Sequence, residues 1–401
     1  MLRRVSWALL VLLLPTASLL AQENQEKQPR FTGPWDVKRL QQTVPQAEWG
    51  EKAGLTQQVY YTAEPLDGKP TRVFAYYARP ASGEGPFPAM LLVHGGGGKA
   101  FAEWATLWAE RGYVALAMDL AGHGPDGPRL PDGGPEQSHE VKFRPFENDA
   151  EAREVWTYHA VADVLLGHSL LASRSEVDPA RVGVTGISWG GYLTCIIAGL
   201  DDRLKAAVPV YGCGFLDKNS AWLQEFARMA PELRQRWVKT FDPSSYLPGV
   251  TCPILFVNGT NDFAYPLDSY RQSYQSVPGR VELSVQVRLP HGHPQGWAPK
   301  EIGIFVDSLL KEGQPLPRIS PIGQKNDLAV CKVESSTPIA QAQLHFTNDG
   351  GPWQKREWQS IDAAIQDGRV SAQLPNPPPK VFYLSVTDER GATVSTDHLG
   401  D

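Results

Sequence analysis

Between Arg181 and Gly199 the chain runs as a short apolar strand, Val182-Gly183-Val184-Thr185, then Gly186-Ile187-Ser188-Trp189-Gly190-Gly191, then an apolar helix through Leu193, Ile196 and Ile197. No other stretch limits the possible folds as much. A strand that passes directly into a helix through a G-x-S-x-G pattern puts the serine on a sharp turn at a sheet edge, and only glycines at 186 and 190 leave room for the backbone that crowds it. The Ser188 hydroxyl is then presented as a nucleophile. The N–H of Trp189, at the start of the helix, points to where negative charge would develop on an attacked carbonyl. The flanks carry this reading, because the pattern alone recurs by chance. Gly167-His168-Ser169 begins it too, but Leu171 replaces the second glycine and no strand precedes it, so that segment reads as helix.

A nucleophile of this kind needs an oxyanion site, a base and an acid, and the chain supplies candidates at strand ends. Pro88 to Val93 is an apolar run that ends in His94-Gly95-Gly96-Gly97-Gly98, where backbone N–H groups, from Gly95 or Gly96, can face a substrate without intervening side chains. A phosphate loop is excluded, since it would need Gly at Val93 and Ser or Thr at Ala100. Strands and helices then alternate as far as Leu310, which predicts a doubly wound, mostly parallel sheet with ligands at the carboxyl ends of its strands. Asp262 follows the strand Ile254 to Val257, and His291-Gly292-His293 follows the strand Val281 to Arg288. The order Ser, Asp, His makes the base His291 or His293. His293 is favoured, because Gly292 before it lets the loop carry the imidazole close to Ser188. A His-x-His pair with a nearby Asp could also bind a metal ion, but that leaves the elbow and the glycine run unexplained. No metal and no cofactor is expected, and His123 reads as a loop histidine bonded to backbone.

With Gly186-Ile187-Ser188-Trp189-Gly190-Gly191, His94-Gly95-Gly96-Gly97, Asn261-Asp262-Phe263-Ala264-Tyr265-Pro266 and Gly292-His293 in place, residues 55–311 resemble an α/β hydrolase. The segment is most similar to the dienelactone hydrolase and acetyl xylan esterase-like group, which shares its double glycine with prolyl oligopeptidase-type peptidases. It departs from dienelactone hydrolases proper in having Ser188 in place of cysteine. The resemblance implies a serine carboxylic-ester hydrolase of small-molecule or polysaccharide esters, with a peptidase or amidase, or a non-catalytic carbohydrate-binding protein, as rivals.

The flanks complete the organisation. Arg3 and Arg4 precede an apolar run from Trp7 to Leu14 and small residues ending at Ala21, so residues 1–21 read as a signal peptide and the mature chain as secreted or periplasmic. The run is too short for a membrane span. Residues 22–54 read as an arm over the domain, with an antiparallel hairpin after it. Ser220 to Thr240 is an aromatic helical insertion between strands, whose side chains read as packing. Residues 312–321 form a Pro/Gly linker, and 322–401 carry short alternating runs between turn clusters, which predicts a β-sandwich with Trp353 and Trp358 in its core. The spacing of Cys195, Cys213, Cys252 and Cys331 fits no zinc or redox motif, so they read as buried thiols. A net charge of -6 excludes a nucleic-acid partner.

Overall fold

The computed structural model describes residues 30–125 and 127–400, so the expected signal peptide lies outside the described residues. The elements of the first part are β1 (Ala47–Ala53), β2 (Thr56–Leu66), β3 (Lys69–Ala78), β4 (Phe87–Val93), β5 (Val114–Met118), β6 (Val177–Ile187), β7 (Ala206–Val210), β8 (Ile254–Gly259) and β9 (Val281–Gln286). They form one nine-stranded sheet in the order β1-β2-β3-β5-β4-β6-β7-β8-β9. The strands from β5 to β9 in that order run parallel, and β1, β2 and β3 are added antiparallel at one edge. This is the α/β hydrolase arrangement the sequence predicts. Strands β5, β7 and β8 are buried along their whole length, as helices on both faces require.

The arm is more than a cover. Its residues form α1 (Val37–Gln42), which packs on a later helix, and β1, which pairs with β2 and extends the sheet. Trp35 anchors it by donating from Nε1 to the Tyr158 carbonyl at 2.9 Å. Helix α2 (Ala102–Glu110) follows β4. Short turns α3 (His139–Lys142) and α4 (Asp149–Ala152) precede α5 (Trp156–Ala172), which is buried on nearly every side. It shows no single apolar stripe because the arm covers its outer face. Helix α6 (Trp189–Leu200) follows β6 directly. The insertion is two helices, α7 (Leu223–Arg228) and α8 (Pro231–Phe241), with Trp222, Phe226 and Trp237 buried. After β8 come α9 (Leu267–Gln275) and, beyond β9, α10 (His293–Trp297) and α11 (Lys300–Leu310).

Residues from Arg318 onward build two antiparallel sheets from β10 (Arg318–Ile319), β11 (Gly323–Lys325), β12 (Leu328–Glu334), β13 (Ile339–Thr347), β14 (Gln359–Asp362), β15 (Ala364–Gln366), β16 (Arg369–Gln373), β17 (Val381–Asp388) and β18 (Thr393–Ser395). One sheet runs β10-β12-β16-β15 with β11 also on β12, and the other runs β14-β13-β17-β18. They meet where β12 packs on β17 and β13 on β16. Arg318 and Ile319 of the expected linker pair with β12. Trp353 and Trp358 are core residues, in one buried cluster with Leu267 and Val285 of the hydrolase part. All four cysteines are buried, and no disulfide joins them among the described residues.

Candidate active site

The elbow is strained where the sequence requires it. Ser188 adopts φ 60° and ψ -117°, a conformation that a side chain with a Cβ takes only when its surroundings enforce it. Its N–H donates to the Val210 carbonyl at 2.8 Å, and its carbonyl accepts the Tyr192 N–H at 2.9 Å, so both neighbouring elements hold the turn. A Cβ on Gly190 would overlap the Val93 carbonyl oxygen, and one on Gly186 would overlap the Gly190 carbonyl. Trp189 is the first residue of α6, where amide hydrogens have no partner within the helix.

The base expected at 293 is not the histidine that Asp262 holds. His291 Nδ1 lies 2.6 Å from Asp262 Oδ2, while Asp262 Oδ1 accepts the N–H groups of Ala264 at 2.9 Å and Tyr265 at 2.8 Å. Asp262 is buried, and the two amides fix its plane. With Nδ1–H given to the carboxylate, Nε2 of His291 is the nitrogen left to accept a proton. The ring is held between Tyr211, stacked at 4.4 Å, and Phe263 at 4.8 Å. Tyr211 ties it to the elbow, because the preceding residue, Val210, accepts the Ser188 N–H.

His293 starts α10, and that helix start turns its ring toward the glycine loop. Its Nε2 accepts the Gly95 N–H at 2.9 Å, and its ring packs on Phe101 at 4.8 Å. Burial, with His94 and His291 beside it, pushes its pKa down to about 4. His94, to which the sequence assigns no role, is buried with Nδ1 2.8 Å from the Gly95 carbonyl and Nε2 accepting the Leu120 N–H at 2.8 Å. Its position at the head of the glycine run was the available signal. His123 stands near Asp119 and Glu136 at the loop after β5. Among the described residues no group of three or more His, Cys, Asp or Glu is placed to hold a metal ion.

The indole of Trp189 is packed by Trp156, Trp222 and Tyr192 at 5.8, 4.5 and 4.9 Å, which explains the aromatic insertion: Trp222 closes over the elbow. Lys142 adds a buried ammonium 4.4 Å from the Trp189 ring. Burial alone pushes its pKa down to about 8.

Residues 39–244, just over half of the chain, match the sequence model of the acetyl xylan esterase (AXE1) family. The chain belongs to the acetyl xylan esterase family. That match takes in the glycine loop and the elbow. Asp262 and His291 fall within a second match, residues 220–351, to the PhoPQ-activated pathogenicity-related protein family. Acetyl esterase Axe7A of Xylanibacter ruminicola is 26% identical over 211 residues, 48% of this chain and 46% of that one. The match therefore spans less than half of that relative. Among solved structures, acetyl xylan esterase from Paenibacillus sp. R4 superposes with a TM-score of 0.55 at 23% identity, covering 68% of this chain and 92% of its own. Acetyl xylan esterase 1 from Thermoanaerobacterium sp. JW/SL YS485 does so with 0.53 at 19%, covering 70% and 96%. At these identities the likeness establishes the fold.

The C-terminal sheets lie outside the acetyl xylan esterase match but reach the site. A cleft of ≈ 440 Å³ is bounded by Asp262, Phe263, Arg288 and His291 on one side and by Gln354, Lys355 and Glu357 on the other. Asn261 Nδ2 donates to the Arg356 carbonyl at 2.8 Å, and Arg288 pairs with Glu357 at 2.7 Å.

Proposed function

We propose that the protein is an exported serine carboxylic-ester hydrolase acting on acetylated or otherwise esterified carbohydrate. Ser188 attacks the ester carbonyl, His291 takes its proton through Nε2 and returns it to the leaving alcohol, and Asp262 holds the imidazole and stabilises its charged form. The Trp189 N–H and a glycine-loop N–H receive the oxyanion, and losing one such donor costs about 3 kcal/mol in the transition state. The observation that carries this reading is the Asp262–His291 hydrogen bond, made by the loops after β8 and β9 in a chain whose β6 ends in a strained serine. Family membership supports ester chemistry and a carbohydrate substrate. Among the described residues no helix is long and apolar enough to cross a membrane.

The test is labelling by a fluorophosphonate, followed by p-nitrophenyl acetate, acetylated xylo-oligosaccharide and peptide substrates. Labelling of the wild type and not of Ser188→Ala, with ester turnover above amide turnover, is the expected result. Absence of labelling would leave a binding protein on a hydrolase fold. Faster turnover of the peptide would make the protein a peptidase.

A further inference from the structure

Two imidazoles grip one residue of the glycine loop. The Leu120 amide can only donate, so His94 Nε2, which it reaches at 2.8 Å, carries no proton and Nδ1 does. The 2.8 Å contact from Nδ1 to the Gly95 carbonyl is therefore a bond that His94 donates. The same carbonyl accepts the Gly98 N–H at 3.1 Å. On its other side Gly95 donates its own N–H to His293 Nε2 at 2.9 Å, which makes that nitrogen the unprotonated one. With a pKa of about 4, His293 keeps this acceptor form through the neutral range.

This arrangement decides which amide is available for an oxyanion. A trans peptide sets its C=O and the following N–H on opposite sides. Holding the Gly95 carbonyl on His94 and Gly98 thus turns the Gly96 N–H the other way, and the Gly95 N–H is already spent on His293. The Gly96 N–H has no hydrogen-bond partner among the described residues. Gly96 also abuts the elbow, since a Cβ there would come within 3.1 Å of Trp189 Cδ1. Both rings close tightly on the loop: a Cβ on Gly98 would stand 2.6 Å from His293 Nε2 and 2.8 Å from His94 Nδ1.

We propose that His293 is a positioning residue of the oxyanion site, its Nε2 fixing the Gly95 amide so that Gly96 N–H, together with Trp189 N–H, is aimed at the oxyanion. The inference rests on the reading of Ser188, His291 and Asp262 as the reacting triad. It gives the second histidine of His291-Gly292-His293 a task other than proton transfer.

The experiment measures kcat and KM separately for p-nitrophenyl acetate in the wild type, His293→Ala, His293→Gln and His291→Ala, with thermal melting of each. His293→Ala should lose ~10- to 100-fold in kcat, the scale of a misplaced catalytic group, with KM changed by less than about threefold. His293→Gln, whose amide oxygen can accept the Gly95 N–H, should recover most of that loss. His291→Ala should be close to inactive. If His293→Ala matches or exceeds the wild type, the ring only occupies the loop or obstructs it, and the positioning role is overturned while the triad stands. If His293→Gln is as slow as His293→Ala at equal folded fraction, acceptance of the Gly95 N–H is not what matters, and the proposal again falls. A near-inactive His293→Ala beside an active His291→Ala would overturn the triad reading itself.

Discussion

Asp262 Oδ2 lies 2.6 Å from His291 Nδ1, and the other oxygen of the same carboxylate is occupied by the amides of Ala264 and Tyr265. The carboxylate therefore cannot rotate without breaking two bonds, and it dictates the imidazole tautomer. In Asp262→Asn the amide oxygen can keep the two backbone donors, which leaves an NH₂ group facing Nδ1. The ring then carries its proton on Nε2, where a base must have none. We expect kcat for p-nitrophenyl acetate to fall by about 10⁴ with the fold retained. A loss smaller than tenfold in a folded variant would remove Asp262 from the mechanism.

The elbow glycines act through sterics. Gly190→Ala would drive a Cβ into the Val93 carbonyl oxygen, so α6 and β4 must separate. Overpacking of this kind costs about 1–3 kcal/mol, and here it falls on backbone that cannot swing aside. The expected outcome is a lowered urea midpoint together with lost fluorophosphonate labelling. Wild-type labelling in Gly190→Ala would show that the turn tolerates a side chain.

The elbow, the glycine loop and the strand ends were legible because each is a local pattern: apolar runs that stop at glycine, and titratable residues placed just beyond them. Which of His291 and His293 meets Asp262 was not. The two are separated by a single glycine, and the choice depends on where α10 begins, which Pro294 and the packing of His293 on Phe101 settle in three dimensions. The arm reads as a cover in the sequence because β1 is mostly exposed and has no apolar alternation, its place in the sheet coming from pairing with β2. Helix α5 carries no single apolar stripe, since α1 buries its remaining side. The sandwich was visible in turn spacing. Its approach to the Asp262 loop was not, because that contact runs through backbone carbonyls.

Lys142 makes a prediction about pH. Its pKa falls from 10.5 to about 8 on burial, so the unfolded chain holds the proton more tightly than the folded one. Below about pH 8 both states are protonated and the full cost of the buried charge is present, roughly 3 kcal/mol from the size of the shift. Between about pH 8 and 10.5 the folded state has released the proton and the unfolded state has not, so this cost is relieved as pH rises. Contact with the Trp189 ring offsets part of it, by about 2 kcal/mol. Lys142→Met should therefore be more stable than the wild type at pH 7, with the difference shrinking toward pH 10. Urea unfolding at the two pH values checks this, and a difference that grows with pH would contradict the burial argument.

The last prediction concerns what the C-terminal sheets do for the reaction. Asn261, next to Asp262, gives its side-chain N–H groups to the carbonyls of Trp353, Gln354 and Arg356 at 3.4, 3.3 and 2.8 Å. Trp353 is itself buried in one cluster with Leu267 and Val285, so the turn that receives Asn261 is anchored in the hydrolase part. The loop carrying the acid is thus held from outside its own sheet. Asn261→Ala leaves the Arg356 carbonyl without this donor, a loss of about 1–2 kcal/mol, and frees the Asp262 loop to shift. The expected result is a fall in kcat of ~10-fold or more with KM little changed, since a displacement of about 1 Å in a catalytic group is enough for that. Glu357→Ala breaks only an exposed pair with Arg288 and should change stability by less than about 1 kcal/mol and leave kcat alone. An Asn261→Ala variant with wild-type kcat would mean that the sandwich docks beside the site without supporting its geometry.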